Sequence, residues 1–240
     1  MRSKYNKNCS SIVIVCYPPG AGGKFLINSL GLSQSCYLQD IYLLKQQRKR
    51  TLPSEQKLNF ILHRLSREQE NWNDLGLGCK QLFGNVLDPE SFYSEILEVS
   101  YEDKLFFVVA HRPGKSYDGV NGLIDLLNIW PNAKKIYLKN SNEFVNWRLG
   151  FAKGFDRSSY PQIFQNFTDY EEKQILQEEN LLIWDVNWYF DQEKFIHELK
   201  NLYEQLGIVD FDQELVQTYY CRYIEKIEEL RNIKKKLYID

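Results

Sequence analysis

The sequence predicts an α/β fold of three layers, a central, mostly parallel sheet flanked by helices. Three observations lead to it. The β-branched run Ile12–Val15 passes through a loop with two prolines and three glycines into an amphipathic helical pattern, the order in which a buried strand, a turn and a helix follow one another. Two continuous apolar runs, LFFVVA over 105–110 and LLIWDV over 181–186, lack the alternation of a sheet with one wet face and read as strands covered on both sides. Between and after these runs, apolar residues recur at helical spacing. A chain of 240 residues, 43% of them hydrophobic, can bury one substantial core. No repeat, low-complexity segment or linker divides it, so 1–240 reads as a single domain.

The first unit is a strand over Ser11–Tyr17, the loop PPGAGG, and a helix from Lys24 to Leu30 with Gly31 as its expected C-cap. A loop whose backbone N–H groups converge on one anion needs dihedrals and a closeness of approach that side chains forbid, which glycine supplies. Lys24 adds a mobile positive charge at the mouth of the helix. Pro19, Gly20, Ala21, Gly22, Gly23, Lys24 and Phe25 are therefore the candidate phosphate-binding residues. Against the Walker A pattern, Gly23-Lys24 is present, but Pro18 stands at the first glycine and Phe25 at the hydroxyl. That hydroxyl ligates Mg²⁺ in ATPases and GTPases, and phenylalanine cannot. The stretch favours a bound phosphate over Mg-dependent hydrolysis, with an ordinary glycine-rich turn as the alternative.

Residues 37–72 carry helical spacing around a break at Pro53, and His63 within them reads as a solvated helix histidine. The basic run Lys45–Arg50 reads as a solvated helix face. Residues 75–86 are glycine-punctuated loop and 89–97 a short helix. The strand ending at Ala110 places His111 at its carboxyl end, the edge where parallel sheets bind ligands; a histidine capping the turn is the plain alternative. A helical stretch over 118–130 leads into the strand Ala133–Lys139, so Lys139 repeats the geometry of a cation at a strand's end before a helix, here over 140–149. Lys153, Arg157, Ser158 and Ser159 could serve an anion, a lid or merely the surface. Residues 191–206 form a helix ending at Gly207, and 212–237 a long C-terminal helix whose Lys234–Lys236 suit the negative end of its dipole.

With 30 basic and 32 acidic side chains, the formal charge of −2 gives no field to draw in nucleic acid or an anionic membrane. The five cysteines, Cys9, Cys16, Cys36, Cys79 and Cys221, are odd in number and show no zinc spacing. A reduced, cytoplasmic setting without structural metal is expected. No apolar run is long enough for a signal core or a membrane span.

Four blocks, in order, resemble the sulfotransferases that use 3′-phosphoadenosine-5′-phosphosulfate (PAPS). YPPGAGGKFL over Tyr17–Leu26 resembles their 5′-phosphosulfate loop. FVVAHRP over Phe107–Pro113 is similar to the strand that supplies a catalytic histidine. WPNAKKIYLKN over Trp130–Asn140 resembles the strand leading to the 3′-phosphate site, and Leu181–Ile208 the late strand, acidic turn and helix ending in L-G-I. The region 33–90 has no counterpart and reads as a helical insertion.

The resemblance implies a P-loop-type fold and sulfuryl transfer from PAPS to a hydroxyl or amine without metal. His111 and Lys24 would be catalytic, and Lys139, Ser141 and Arg148 would hold the 3′-phosphate. Lys24 would supply the charge that the family more often places just after the loop proline, while Lys139 stands for its usual arginine and Ser141 for its proline. The acceptor would be a small molecule, glycan or peptide, and a homodimer is compatible with the sequence. A P-loop kinase, with Ser29 or Asp185 as weak Mg²⁺ ligands, and a non-catalytic interaction protein on the same fold are the rival readings.

Overall fold

The computed structural model of the chain describes residues 11–18, 21–38, 52–67, 104–115, 122–139 and 180–237. Four strands, β1 (Ile12–Cys16), β2 (Phe106–Ala110), β3 (Lys134–Lys139) and β4 (Leu181–Asp185), pair in parallel in the order β2-β1-β3-β4. Five helices accompany them among the described residues: α1 (Gly23–Gly31), α2 (Ser54–Arg67), α3 (Leu123–Ile129), α4 (Gln192–Leu206) and α5 (Gln213–Leu237). A 3₁₀ turn over Val186–Phe190 follows β4.

Strand alternation explains the three layers. Val13 and Val15 of β1, Phe107 and Val109 of β2, and Ile136 and Leu138 of β3 share one core with Phe25, Leu58, Phe195 and Val216 from α1, α2, α4 and α5. The alternate residues Ile12, Ile14, Phe106, Val108 and Tyr137 pack on the other face with Leu123, Leu126 and Trp130, from α3 and its end. Both faces are thus covered, which is why β1 and β2 are buried at every position and carry no polar residue.

The pairing Cys16↔Ala110 on one side of β1 and Cys16↔Tyr137 on the other brings three strand ends to one edge. The chain leaves β1 for β2 on one flank and then crosses to β3 on the opposite flank. This reversal of strand order is where open α/β sheets bind ligands, beyond the carboxyl ends.

Several expectations change. The helical reading that began at Tyr37 fails at its start, because Cys36 bridges Leu105 and the Tyr37 N–H donates to the Leu105 carbonyl at 2.9 Å. These residues extend the sheet, and the next described helix begins at Ser54, beyond Pro53. Gly31 does not cap α1 in a left-handed conformation: it lies within the helix, and Leu32 is the C-cap with φ −64. Space explains this glycine, since a Cβ would come within 2.9 Å of the Leu38 side chain. Gly207, by contrast, ends α4 at φ 78, as the sequence predicts. The segments expected to be helix or loop over 75–97 and 140–172, and the basic run Lys45–Arg50, lie outside the described residues.

A polar cluster secures the far end of α1. The buried Lys57 ammonium donates to the carbonyls of Ser33 and of Cys36, the latter at 2.7 Å. These carbonyls lie just past the helix C-terminus, where a cation is favoured by the dipole. Burial lowers the Lys57 pKa to about 8, against the nearby Cys36, whose own thiol burial pushes up to about 12. Asp210 accepts from the Ser33 hydroxyl at 2.6 Å, the Gln34 N–H at 2.6 Å and the Ser35 hydroxyl at 3.1 Å. Burial alone would raise its pKa, but these bonds outweigh it and hold the carboxyl below its ordinary value.

Candidate functional site

The glycine turn between β1 and α1 is built by two different glycine requirements. Gly22, the N-cap of α1, has φ 74 and ψ 12, a left-handed conformation that side chains resist. Gly23 has no positive φ; there a Cβ would fall inside the Tyr17 ring. The Gly22 carbonyl accepts from Phe25 N–H at 2.9 Å, Leu26 N–H at 3.3 Å and the Tyr189 hydroxyl at 3.1 Å. The Ala21 N–H closes back on the Pro18 carbonyl at 3.1 Å. Among the described residues, no hydrogen bond uses the N–H of Gly22 or Gly23.

No side chain caps α1, and its first turn holds no acidic residue. Instead it carries half-buried Lys24. A cation at the positive end of a helix dipole is unfavourable by itself, by about 0.3–1 kcal/mol. An anion there would reverse that sign and would meet backbone N–H donors as well.

Phe25 points away from the turn. It is 1% exposed, stacks on Tyr223 with centroids 4.0 Å apart and on Phe195 at 5.0 Å, and its N–H is used by Gly22. The position where a Mg²⁺-binding hydroxyl would stand is therefore an anchor of α1 to α4 and α5. Further bonds hold the helix in place: Asn28 Nδ2 donates to the Tyr219 hydroxyl at 3.2 Å and the Tyr203 hydroxyl to the Ser29 carbonyl at 2.8 Å. Ser29 is fully buried and its hydroxyl donates to the Phe25 carbonyl at 2.8 Å, which removes it as a metal ligand. Asp185 accepts from the Asn187 N–H at 2.9 Å as the cap of the 3₁₀ turn.

His111 follows β2 directly and keeps the parity of Phe107 and Val109, toward α1. Its Nδ1 lies 3.2 Å from the Tyr17 carbonyl oxygen. A carbonyl only accepts, so Nδ1 carries the proton and the Nε2 of the neutral ring carries the lone pair. The imidazole also meets the Tyr17 ring edge to face, with centroids 4.9 Å apart and planes at 88°. Beyond it, Arg112 bridges Gly122 and its carbonyl accepts from Leu123 N–H at 2.8 Å, tying the turn to the start of α3.

Lys139 ends β3, is exposed, and pairs in register with Asp185 of β4. By alternation it shares the α3 face with Tyr137, whereas Tyr17 and His111 are on the α1 face. The structure thus gathers Ala21, Gly22, Gly23, Lys24 and His111 around the end of β1 and sets Lys139 on the neighbouring strand end. Pro19, Gly20, Ser141 and Arg148 lie outside the described residues. Two residues of the site carry no sequence signal of their own. Tyr17 reads as the last residue of a strand, and Tyr189 as part of an apolar run after β4.

Among the described residues, no helix is long and apolar enough to cross a membrane, and no group of His, Cys, Asp and Glu is placed to hold a metal ion. No family model and no curated protein matches the chain. Among solved structures, it is similar to the sulfotransferase domain from the curacin biosynthetic pathway, at 16% identity and a TM-score of 0.44 over 87% of this chain and 77% of that one. It is also similar to retinol dehydratase, in a crystal structure with androsterone and the inactive cofactor PAP. That match has 15% identity and a TM-score of 0.40 over 88% of this chain and 63% of that one. The described residues themselves form an α/β fold whose sheet edge joins an uncapped glycine turn, a lysine and an oriented histidine.

Proposed function

We propose that the chain is a sulfotransferase moving a sulfuryl group from PAPS to a hydroxyl or amine on a small-molecule, glycan or peptide acceptor. The observation that carries this reading is His111, held by the Tyr17 carbonyl beside the uncapped turn of Gly22, Gly23 and Lys24. The residues suit an anionic donor. The backbone N–H groups of Gly22 and Gly23 and the Lys24 ammonium would hold the 5′-phosphosulfate, and Lys139, Ser141 and Arg148 the 3′-phosphate.

Bound PAPS supplies the sulfuryl group: a new S–O or S–N bond forms to the acceptor as the S–O bond to the 5′-phosphate breaks, its electron pair leaving on the phosphate oxygen. His111 accepts the acceptor's proton at Nε2, a role suited to a group whose ordinary pKa lies near neutrality. Lys24 and the turn amides neutralise the charge left on the phosphate side, which is the main task in a loose, in-line transfer. Nothing in this assignment calls on a hydroxyl at position 25 or on a metal. We assign the chain to a reduced, cytoplasmic setting from its five scattered cysteines, odd in number and without zinc spacing.

Transfer of label from ³⁵S-PAPS, screened across phenol, sugar, lipid and peptide acceptors, tests the reading. His111→Ala should slow transfer roughly a hundredfold or more while leaving 3′,5′-ADP binding nearly intact. Unchanged turnover in that variant would remove His111 from the mechanism.

A further inference from the structure

We propose that Tyr17 is a positioning residue that couples the glycine turn to His111; its catalytic meaning rests on the sulfuryl-transfer reading, but its geometry does not. Three contacts converge on this residue. Its carbonyl takes the His111 Nδ1–H at 3.2 Å, its ring lies edge to face on the imidazole at 4.9 Å, and the same ring occupies the space a Cβ at Gly23 would need.

Neither the ring nor the carbonyl is free to drift. Tyr17 is 2% exposed, so the ring cannot swing into solvent. Its N–H donates to the Ala110 carbonyl at 2.9 Å, so the sheet holds the backbone of Tyr17 on the N-terminal side of the carbonyl that meets His111. The coupling gives the two glycines separate purposes. Gly22 is glycine for its left-handed backbone, while Gly23 is glycine so that the Tyr17 ring can lie against the turn. A change at Gly23 therefore reaches the imidazole through Tyr17. An anion seated on the turn would hold Tyr17 against His111 and keep the ring as the Nδ1–H tautomer, with Nε2 as the base.

Histidine ¹⁵N NMR on the full chain tests this directly, because the sequence holds only three histidines, His63, His111 and His197. His63→Asn and His197→Asn assign the signals. Neutral His111 should be predominantly the Nδ1–H tautomer. Tyr17→Phe should preserve that state, while Tyr17→Leu should reduce it to a minority. Gly23→Ala should shift the His111 resonances, and should add little further change in the Tyr17→Leu background, where the ring it collides with is gone.

An Nε2–H tautomer in the unaltered protein would overturn the proposal, as would Tyr17→Phe being as damaging as Tyr17→Leu. These two spectra decide the matter even if Gly23→Ala fails to fold. Titration with 3′,5′-ADP separates the two claims: no binding alongside an Nδ1–H His111 contradicts the donor assignment and leaves the Tyr17 coupling standing.

Discussion

Helices α1 and α4 begin in opposite ways. At α4, Asp191 accepts from the Lys194 N–H at 3.0 Å, Glu193 occupies the first turn, and Gly207 closes the other end in a left-handed cap. Each of these features satisfies an orphan backbone group or complements the dipole. At α1, the cap is a glycine with no side chain to offer, the first turn holds no acid, and Lys24 sits where a cation is disfavoured. Yet both helices pack into the same core, with Phe25 stacked on Phe195. A helix start built only for stability looks like α4. The start of α1 gives up local stabilisation, as the anion site proposed there requires, and its rigidity comes from the aromatic residues behind it.

The largest expected effect removes that backing. Phe25→Ala should cost roughly 3–5 kcal/mol in urea unfolding, because the ring is 1% exposed and stacked on both sides. A loss below about 1 kcal/mol would mean that α1 is not mounted on this cluster.

The cluster past the far end of α1 gives a smaller, pH-dependent effect. The bonds from Ser33, Gln34 and Ser35 outweigh burial and hold the Asp210 carboxyl below the ordinary aspartate pKa. Its stabilisation is therefore present above that pH and lost as pH falls through the lower, folded value. Asp210→Asn should cost about 1–2 kcal/mol at neutral pH, discounted for its partial exposure, and should flatten the acid limb of the stability curve. An unchanged acid limb would show that the bonds from Ser33, Gln34 and Ser35 do not favour the ionised form.

The two helix starts themselves respond least, and in different ways. Asp191→Ala should lower stability by about 1 kcal/mol in chemical unfolding through loss of the cap. Lys24→Glu should abolish anion binding at the start of α1. Undiminished binding of 3′,5′-ADP by that variant would erase the contrast between α1 and α4.

Much of the scaffold was legible because its signals are local. Continuous apolar runs marked β2 and β4, Gly207 marked the end of α4, and 212–237 read as one helix against the observed Gln213–Leu237. Tyr37 was misread because helical spacing does not report that Cys36 and Tyr37 pair with Leu105, far along the chain. Gly31 was misread because a glycine needed for space looks the same as one needed for a left-handed turn. The site divides in the same way. Lys24 and His111 stand out as charged or titratable residues at strand ends. Tyr17 does not, since its part depends on a carbonyl and on a ring lying over Gly23, neither of which a residue type announces. Phe25 argues against a Mg²⁺-binding hydroxyl on two grounds, of which the sequence shows only the first: it lacks the hydroxyl, and it also faces the core.

Thermal denaturation in EDTA with increasing 3′,5′-ADP tests most directly the claim that α1 opens onto a donor site. A ligand that binds only the folded chain stabilises it by about 2.7 kcal/mol at a hundred times its Kd, which for a chain of this size raises Tm by roughly 5–10 °C. The account predicts such a rise, saturating without metal and absent in Lys24→Glu. Stabilisation by Mg-ATP alone would point to a kinase, and no response to either nucleotide to an interaction protein; both results would contradict the donor site proposed for Gly22, Gly23 and Lys24.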